Sequence, residues 1–521
     1  MPRLAARAAW VCTAAAFALF FLTLARVPIP WGDEIWMASA SKSLADGGLG
    51  VPSALPPGPW YAPFPHVYGP LFFNLSAAFI RVFGLSAATV RVVCVLGAAL
   101  LVGATAWLMR SAGLGPRWAA IGCALMTLTP EVGTIATNGR MDTLAIAMEI
   151  AAMAAFVQAL RSDDRVRWGA VAGGLGLLAL LTQVRALPLL AGMGLGGVGL
   201  LVSRANRQQA FAAGAAAAAV FMLGGWWWTH HLGTTPLEWA LTYLRSSRGD
   251  AQNLALAGRP RVWGLELRNA ITPLVILAAG AGSAVMLWRR APANSEPAAR
   301  LFPLAAVLIA SIVNVAFIFA VANNVFTSSS YFVLPLLAAI LAVSVAVGQR
   351  AGRPQAIAAF WMAVVVLFGA ARTMKYVEVW QTWPYRDPAP LDQFVARHVP
   401  PGSLVFGYDQ YYYYAVQAAG STFRTWTPTP FPPPAFGRPE GISVEGEPLP
   451  AMADRRYFVW PVNGLPGAVP PSFACVVPHE VARFSESDTT ATGVEHFAGF
   501  IASLHGYPDT VLYQLPPDCH P

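Results

Sequence analysis

The chain has 521 residues, of which 56% are hydrophobic and 12% are charged, and its mean hydropathy is +0.51. These values exclude an ordinary soluble globular protein and predict a polytopic membrane protein. The formal net charge of +8 does not indicate nucleic-acid binding, because the arginines occur mostly in twos and threes between apolar runs, as membrane-topology signals do.

The first apolar run, residues 8–25, predicts a transmembrane helix that is retained, because a poor signal-peptidase cleavage site follows it. A polar loop rich in proline and aromatic residues comes next, at 27–70. The short apolar run 71–83 that follows is typical of a re-entrant or interfacial helix rather than of a full span.

Further apolar runs have about the length that crosses a bilayer. They lie at about 87–109, 118–136, 142–160, 168–183, 186–202, 209–228, 270–288, 301–322, 331–347 and 355–372. Arginines recur in every second connection, which predicts that these connections and the N-terminus are cytoplasmic. We therefore expect a domain of about eleven transmembrane helices in residues 1–375, including the outer loop 27–70.

The composition becomes polar and proline-rich after Trp380. Strand-like runs at 404–406 and 457–460, with helical patterns at 391–398 and 409–419, predict a small α/β domain over 376–521. The parity of the spans places this domain outside the cytoplasm.

Two cysteines, Cys475 and Cys519, lie outside the apolar runs and within that predicted outer domain. In an oxidising compartment they are expected to form a disulfide. The alternative is two unrelated thiols, because pairing cannot be deduced from sequence alone.

Candidate functional residues concentrate on the predicted outer side. Asp33 and Glu34 follow the first membrane helix directly, where ionisable groups often have a function; alternatively, Asp33 caps a helix and Glu34 favours its positive end. Arg140 lies two residues before Asp142, so it could pair with Asp142, cap a helix, or contribute to a site near Asp33.

The outer loop at 229–268 is rich in arginine, which suits an anion site because the guanidinium group binds phosphate through two hydrogen bonds. The alternative is a solvated loop face. The arginines proposed to bind substrate are Arg245, Arg248, Arg259 and Arg261.

Several ordered motifs resemble those of the GT-C membrane glycosyltransferases, in particular the protein O-mannosyltransferase and lipid A aminoarabinose transferase group. They are Trp31-Gly32-Asp33-Glu34, Tyr68-Gly69-Pro70-Leu71, Val82-Phe83-Gly84-Leu85 with Arg91, Arg140-Met141-Asp142, and Leu180-Leu181-Thr182-Gln183. The likeness covers residues 1 to about 200. Gly69-Pro70 replaces the usual Pro-Pro of the group, and Gln183 replaces its usual Lys.

The resemblance implies transfer of a sugar from a polyprenyl-phosphate donor to a lipid, glycan or protein acceptor on the outer face of the cytoplasmic membrane, with inversion at the anomeric carbon. In this scheme Asp33 is the base, while Glu34 and Asp142 orient the acceptor or hold a cation. The residues expected to bind substrate, besides the loop arginines, are Lys42, His66, Tyr68 and Arg140. The residue pattern leaves the presence of a divalent cation open, and a lone histidine such as His66 is more often structural.

Two other classes of function stay open at this point. One is a lipid or glycan transporter or flippase, for which carboxylates are expected in the middle of a span, and Glu149 is such a residue. The other is a non-catalytic membrane scaffold, in which Asp33 would be replaceable.

Overall fold

The computed structural model describes residues 2–28, 30, 32–54, 64–202, 207–235, 238–239, 278, 282, 285, 302–321, 329–407, 410–425, 455–461, 479–484, 507 and 510–515. Its helices are α1 (Pro2–Thr23), α2 (Gly32–Ala45), α3 (Phe64–Tyr68), α4 (Pro70–Phe83), α5 (Ala87–Ser111), α6 (Pro116–Leu128), α7 (Pro130–Ile135), α8 (Asp142–Ala159), α9 (Arg165–Leu180), α10 (Leu187–Val202), α11 (Arg207–His231), α12 (Phe302–Val321), α13 (Ser329–Arg350), α14 (Pro354–Gln381), α15 (Ala389–His398) and α16 (Tyr413–Ala418). Its strands are β1 (Leu404–Gly407), β2 (Thr422–Thr425), β3 (Arg456–Pro461), β4 (His479–Phe484) and β5 (Thr510–Leu515).

Six helices in the described part of the chain are long and apolar enough to cross a membrane: α1, α5, α8, α11, α13 and α14. Shorter apolar helices are found at Pro70–Phe83, Val184–Val198 and Pro303–Val315. The prediction of a polytopic helical protein with a small C-terminal α/β region is confirmed. The total of eleven spans stays a prediction, since the expected span at 270–288 lies almost wholly outside the described residues.

Two predicted spans differ from the observed helices. The single span expected at 118–136 is wrong, because Pro130 has no amide hydrogen and the helix ends before it. A second helix, α7, starts there, and the side chain of Thr129 caps it by accepting a hydrogen bond from the Val132 amide at 3.3 Å. The last helix, expected to end near 372, continues to Gln381.

The described chain forms two compact units, of which the first comprises residues 1–20, 94–136 and 141–372. Helix α8 lies at its centre, with 83% of the span buried. Helices α9 and α11 approach so closely that a Cβ at Gly173 would contact the backbone of Ala217. Small residues of this kind allow membrane helices to pack backbone to backbone. Only 11% of the α11 span is buried by the described part of the chain.

The second unit comprises residues 21–93, 137–140 and 373–521. It contains a five-stranded sheet with the order β2-β1-β3-β5-β4. Strand β1 is parallel to β2 and β3, whereas β5 is antiparallel to β3 and β4. The first outer loop and the C-terminal segment therefore belong to the same compact unit.

Contacts within this second unit attach the C-terminal segment to the outer loop. The Arg26 guanidinium donates to Asp387 at 2.7 Å and lies over the Trp383 ring at 4.6 Å. Further along the loop, after α2, the Thr425 amide donates to the Ala54 carbonyl at 2.7 Å. These contacts hold the chain both before and after α2.

Candidate functional site

The candidate site is built around Asp33 in the first turn of α2. Because the helix starts at Gly32, Asp33 lies inside the first turn and is not the residue preceding the helix. Arg140 Nη1 donates to Asp33 Oδ2. The Asp33 side chain is 30% exposed and that of Arg140 only 5%, so the buried arginine holds a carboxylate that a second molecule can reach. In the described part of the chain, Arg140 is the group that bonds this carboxylate.

Glu34, the next residue, is fully buried in a two-pronged ion pair with Arg91. Arg91 Nε donates to Glu34 Oε1 and Nη2 to Oε2, each at 2.8 Å, and Nη1 donates to the Leu24 carbonyl at 2.8 Å. Both side chains are 0% exposed. Loss of one partner from such a pair is costly, because it leaves a buried charge uncompensated. The pair therefore fixes the start of α2 to α5 and to the end of the first membrane helix.

Tyr414 of α16 adds a third donor to this carboxylate. Its hydroxyl donates to Glu34 Oε1 at 3.2 Å. Burial, followed by the neighbouring Glu34 carboxylate, raises the pKa of Tyr414 well above its ordinary value. The hydroxyl is therefore protonated at neutral pH and serves as a hydrogen-bond donor.

A tight turn at residues 138–140 brings Arg140 to α2. The Arg140 amide donates to Asn138 Oδ1 at 3.1 Å, and Gly139 has a φ of +71°, in the left-handed region that favours glycine. A Cβ at Gly139 would collide with the Glu34 side chain. Glycine is thus required both by the backbone conformation and by the close approach to the buried ion pair.

Asp142 lies in the other compact unit, at the start of α8. Its side chain is 2% exposed, and Tyr331 of α13 donates to its Oδ1 at 2.7 Å. Tyr331 is itself fully buried, and its carbonyl accepts from Asn314 Nδ2 at 2.7 Å. This network ties the start of α8 to α13 and, through Asn314, to α12.

Other predicted site residues are more scattered. Lys42 forms an ion pair with Asp46. Lys42 is nine residues after Asp33 in α2, which places it about 13 Å further along the helix and on the opposite face. His66 and Tyr68 are partly buried in the one-turn helix α3. The predicted residues that lie outside the described part of the chain are Arg245, Arg248, Arg259, Arg261, Cys475 and Cys519.

No group of three His, Cys, Asp or Glu side chains in the described ranges is placed to hold a metal ion. The adjacent carboxylates of Asp33 and Glu34 form ion pairs with arginines: Asp33 with Arg140, and Glu34 with Arg91.

Sequence reasoning named Arg91 only as part of a motif, without its pairing to Glu34, and missed Tyr331 and Tyr414. Arg91 interrupts the apolar run at 87–109, and an intramembrane arginine is itself a signal of a special role. Tyr331 and Tyr414 carry no such local signal, because their partners lie 189 and 380 residues away in the chain.

The fold is similar to that of a solved membrane-protein structure, ArnT. The crystal structure of ArnT from Cupriavidus metallidurans bound to undecaprenyl phosphate is similar, with a TM-score of 0.54, 14% identity, and coverage of 87% of this chain and 92% of that one. At this identity the likeness concerns the fold alone. No protein-family model matches the sequence, and no curated protein sequence is significantly similar.

Two archaeal structures are more distant. The Archaeoglobus fulgidus oligosaccharyltransferase in complex with Zn and sulfate has a TM-score of 0.46 and 15% identity, over 80% of this chain and 62% of that one. AglB from the same organism, in complex with an inhibitory peptide and a dolichol-phosphate, has a TM-score of 0.48 and 14% identity, over 80% and 64%. This chain thus spans less than two thirds of the length of these oligosaccharyltransferases, and neither likeness indicates its function.

Proposed function

We propose that the protein is an inverting glycosyltransferase that takes a sugar from a polyprenyl-phosphate donor and transfers it to a lipid, glycan or protein acceptor. The observation that carries the proposal is the partly exposed Asp33 carboxylate, fixed by buried Arg140 in the loop after the first membrane helix. The GT-C fold and the ordered motifs around these residues support it.

In the proposed reaction, the acceptor hydroxyl attacks the anomeric carbon and its proton passes to the Asp33 carboxylate. The bond between that carbon and the phosphate oxygen breaks as the new glycosidic bond forms. Polyprenyl phosphate leaves with the bonding electron pair. A phosphate monoester is a good leaving group, so no general acid is needed.

The neighbouring residues then have separate roles. Buried Glu34 holds α2 through Arg91 rather than orienting the acceptor, since both of its oxygens accept from that guanidinium. Arg140 orients Asp33 through one N–H group, and its guanidinium also carries the positive charge that would stabilise the departing phosphate. Lys42 is too far along α2 to contribute near Asp33.

The proposed location is the outer face of the cytoplasmic membrane, with the N-terminus inside and the C-terminal segment outside. The alternation of arginine-rich connections supports this orientation. A polyprenyl donor suits a site at the end of a membrane helix, because its prenyl chain remains in hydrocarbon while the head group reaches water.

The test compares Asp33→Asn with Asp46→Asn, which removes an exposed carboxylate just beyond the opposite end of α2. First, mass spectrometry of polyprenyl-linked sugars and envelope glycans in cells with and without the protein identifies the donor. Turnover is then measured with purified protein. We expect Asp33→Asn to abolish transfer, because an amide cannot accept the proton, and Asp46→Asn to retain it. Near-normal turnover of Asp33→Asn would exclude Asp33 as the base.

Arg140→Ala tests the electrostatic part of the proposal. Loss of a contact to the developing phosphate charge should cost roughly 2 to 4 kcal/mol of transition-state stabilisation. A variant that unfolds more easily but turns over normally would show that Arg140 has only a structural role beside Asp33.

One observation favours a second candidate function, a lipid or glycan flippase. Glu149 is fully buried in the middle of α8, and neither carboxylate oxygen has a hydrogen-bond partner among the described residues. Intramembrane carboxylates commonly mark transport pathways. Loss of lipid-linked sugar movement across vesicles in Glu149→Gln, with no transferase activity in the wild type, would favour this function.

A further inference from the structure

Tyr414 connects the C-terminal segment to the helix that carries the proposed base. We propose that Tyr414 is a positioning residue, which holds the first turn of α2, and with it Asp33, through the hydrogen bond to Glu34. The effect on turnover rests on the proposed transferase function, whereas the effect on the helix does not. The C-terminal segment is accordingly a part of the catalytic framework and not an independent module.

The geometry of Glu34 explains why one hydroxyl matters. Oε1 accepts from both Arg91 Nε and the Tyr414 hydroxyl, and Oε2 accepts from Arg91 Nη2. Asp33 and Glu34 are adjacent in the first turn of α2. The donors that hold Glu34 therefore also restrain the first turn of α2, which carries Asp33 and its bond to Arg140.

The position of Tyr414 is itself set by the attachment of the C-terminal segment. The Arg26 contacts with Trp383 and Asp387 fix that segment before α2, and the Thr425–Ala54 hydrogen bond fixes it after α2. Tyr414 lies in α16, just before strand β2, which ends at Thr425. The C-terminal segment, which is held by contacts before and after α2, thus places the Tyr414 hydroxyl next to Glu34.

The chain provides a matched control in the preceding residue. Tyr413 is fully buried, and its ring packs edge-on against Tyr414 and Phe423, at centroid distances of 5.3 and 6.3 Å. Its hydroxyl has no hydrogen-bond partner in the described part of the chain. Tyr413→Phe therefore removes the same atom from the same short helix without removing the contact to Glu34.

The experiment uses the full-length protein in detergent, as wild type, Tyr414→Phe and Tyr413→Phe. Amide hydrogen exchange over residues 32–45 is followed by mass spectrometry, with the α13 peptide 333–350 as an internal reference. We expect exchange at 32–45 to be several-fold faster in Tyr414→Phe only, with the reference peptide unchanged. With an undecaprenyl-phosphate sugar donor, kcat should fall about tenfold while KM stays within about twofold, the size expected for one hydrogen bond to a charged group.

The outcomes distinguish the positioning role of Tyr414 from the proposed transferase function. Equal exchange at 32–45 in all three proteins overturns the positioning role, as does an equal loss of kcat in the two variants or a rise in KM alone. Faster exchange in Tyr414→Phe together with unchanged kcat would show that the helix is held but that the base is not positioned in this way. Faster exchange in Tyr414→Phe, with no donor turnover even by the wild type, would refute the transferase proposal and keep the structural link.

Discussion

Glu34→Gln is expected to destabilise the protein strongly. The substitution keeps the shape of the side chain but removes its charge, leaving the Arg91 guanidinium buried at 0% exposure without its counter-charge. Breaking a buried ion pair from one side costs roughly 3 to 5 kcal/mol. Denaturant unfolding of the purified protein in detergent, followed by circular dichroism, should show this loss as a lower transition midpoint.

The control for this measurement is Glu480→Gln, which breaks an exposed pair with Arg483 in strand β4, where the side chains are 46% and 53% exposed. That pair should contribute about 0 to 1 kcal/mol. Adding Arg91→Met to Glu34→Gln should recover part of the loss, because the uncompensated buried charge is then removed. A cost for Glu34→Gln no larger than that of Glu480→Gln would refute the argument from burial.

Three further results are expected. Gly139→Ala should lower the free energy of unfolding by about 1 to 3 kcal/mol more than Gly233→Ala, measured by denaturant unfolding. Both glycines have a φ near +70°, but a Cβ at Gly139 would also collide with the Glu34 side chain. Equal losses for the two variants would show that the collision contributes nothing beyond backbone strain. Reporter fusions after residue 380 should show phosphatase activity outside, and fluorescence in the cytoplasm would contradict the outward tail. Cys475 and Cys519 should resist alkylation until reduced and stabilise by roughly 3 to 4 kcal/mol in the chain-entropy model; labelling of both without reduction would disprove the bond.

The helical plan could be predicted from the sequence because long apolar runs have few alternatives to a membrane helix. The sequence analysis did not predict that the run at 118–136 is divided into two helices at Pro130. Hydropathy measures only how apolar a run is, and it does not account for the missing amide hydrogen of proline. The extension of α14 to Gln381 was also missed, since the polar residues after 372 end the hydropathy signal but not the helix.

The candidate site was predictable only in part. Asp33 and Arg140 could be singled out as charged groups at predicted outer helix ends, and the structure places them in contact. The sequence does not show which of the two adjacent carboxylates is buried, so the role of Glu34 could not be separated from that of Asp33. In the structure Glu34 is buried against Arg91, whereas Asp33 is partly exposed. Tyr414 could not be found at all, since tertiary packing alone brings it to Glu34.

The separation of Glu34 and Tyr414 by 380 residues also determines when their hydrogen bond can form during synthesis of the chain. A ribosome that adds roughly 5 to 20 residues per second needs about 20 to 75 s to make that stretch. During this interval the nascent chain already contains Glu34 and Arg91, which are only 57 residues apart, and can form their ion pair. The third donor arrives only when the C-terminal segment has been synthesised. On the proposed function, full activity is therefore reached only after the last membrane helix, which ends at Gln381, has been synthesised.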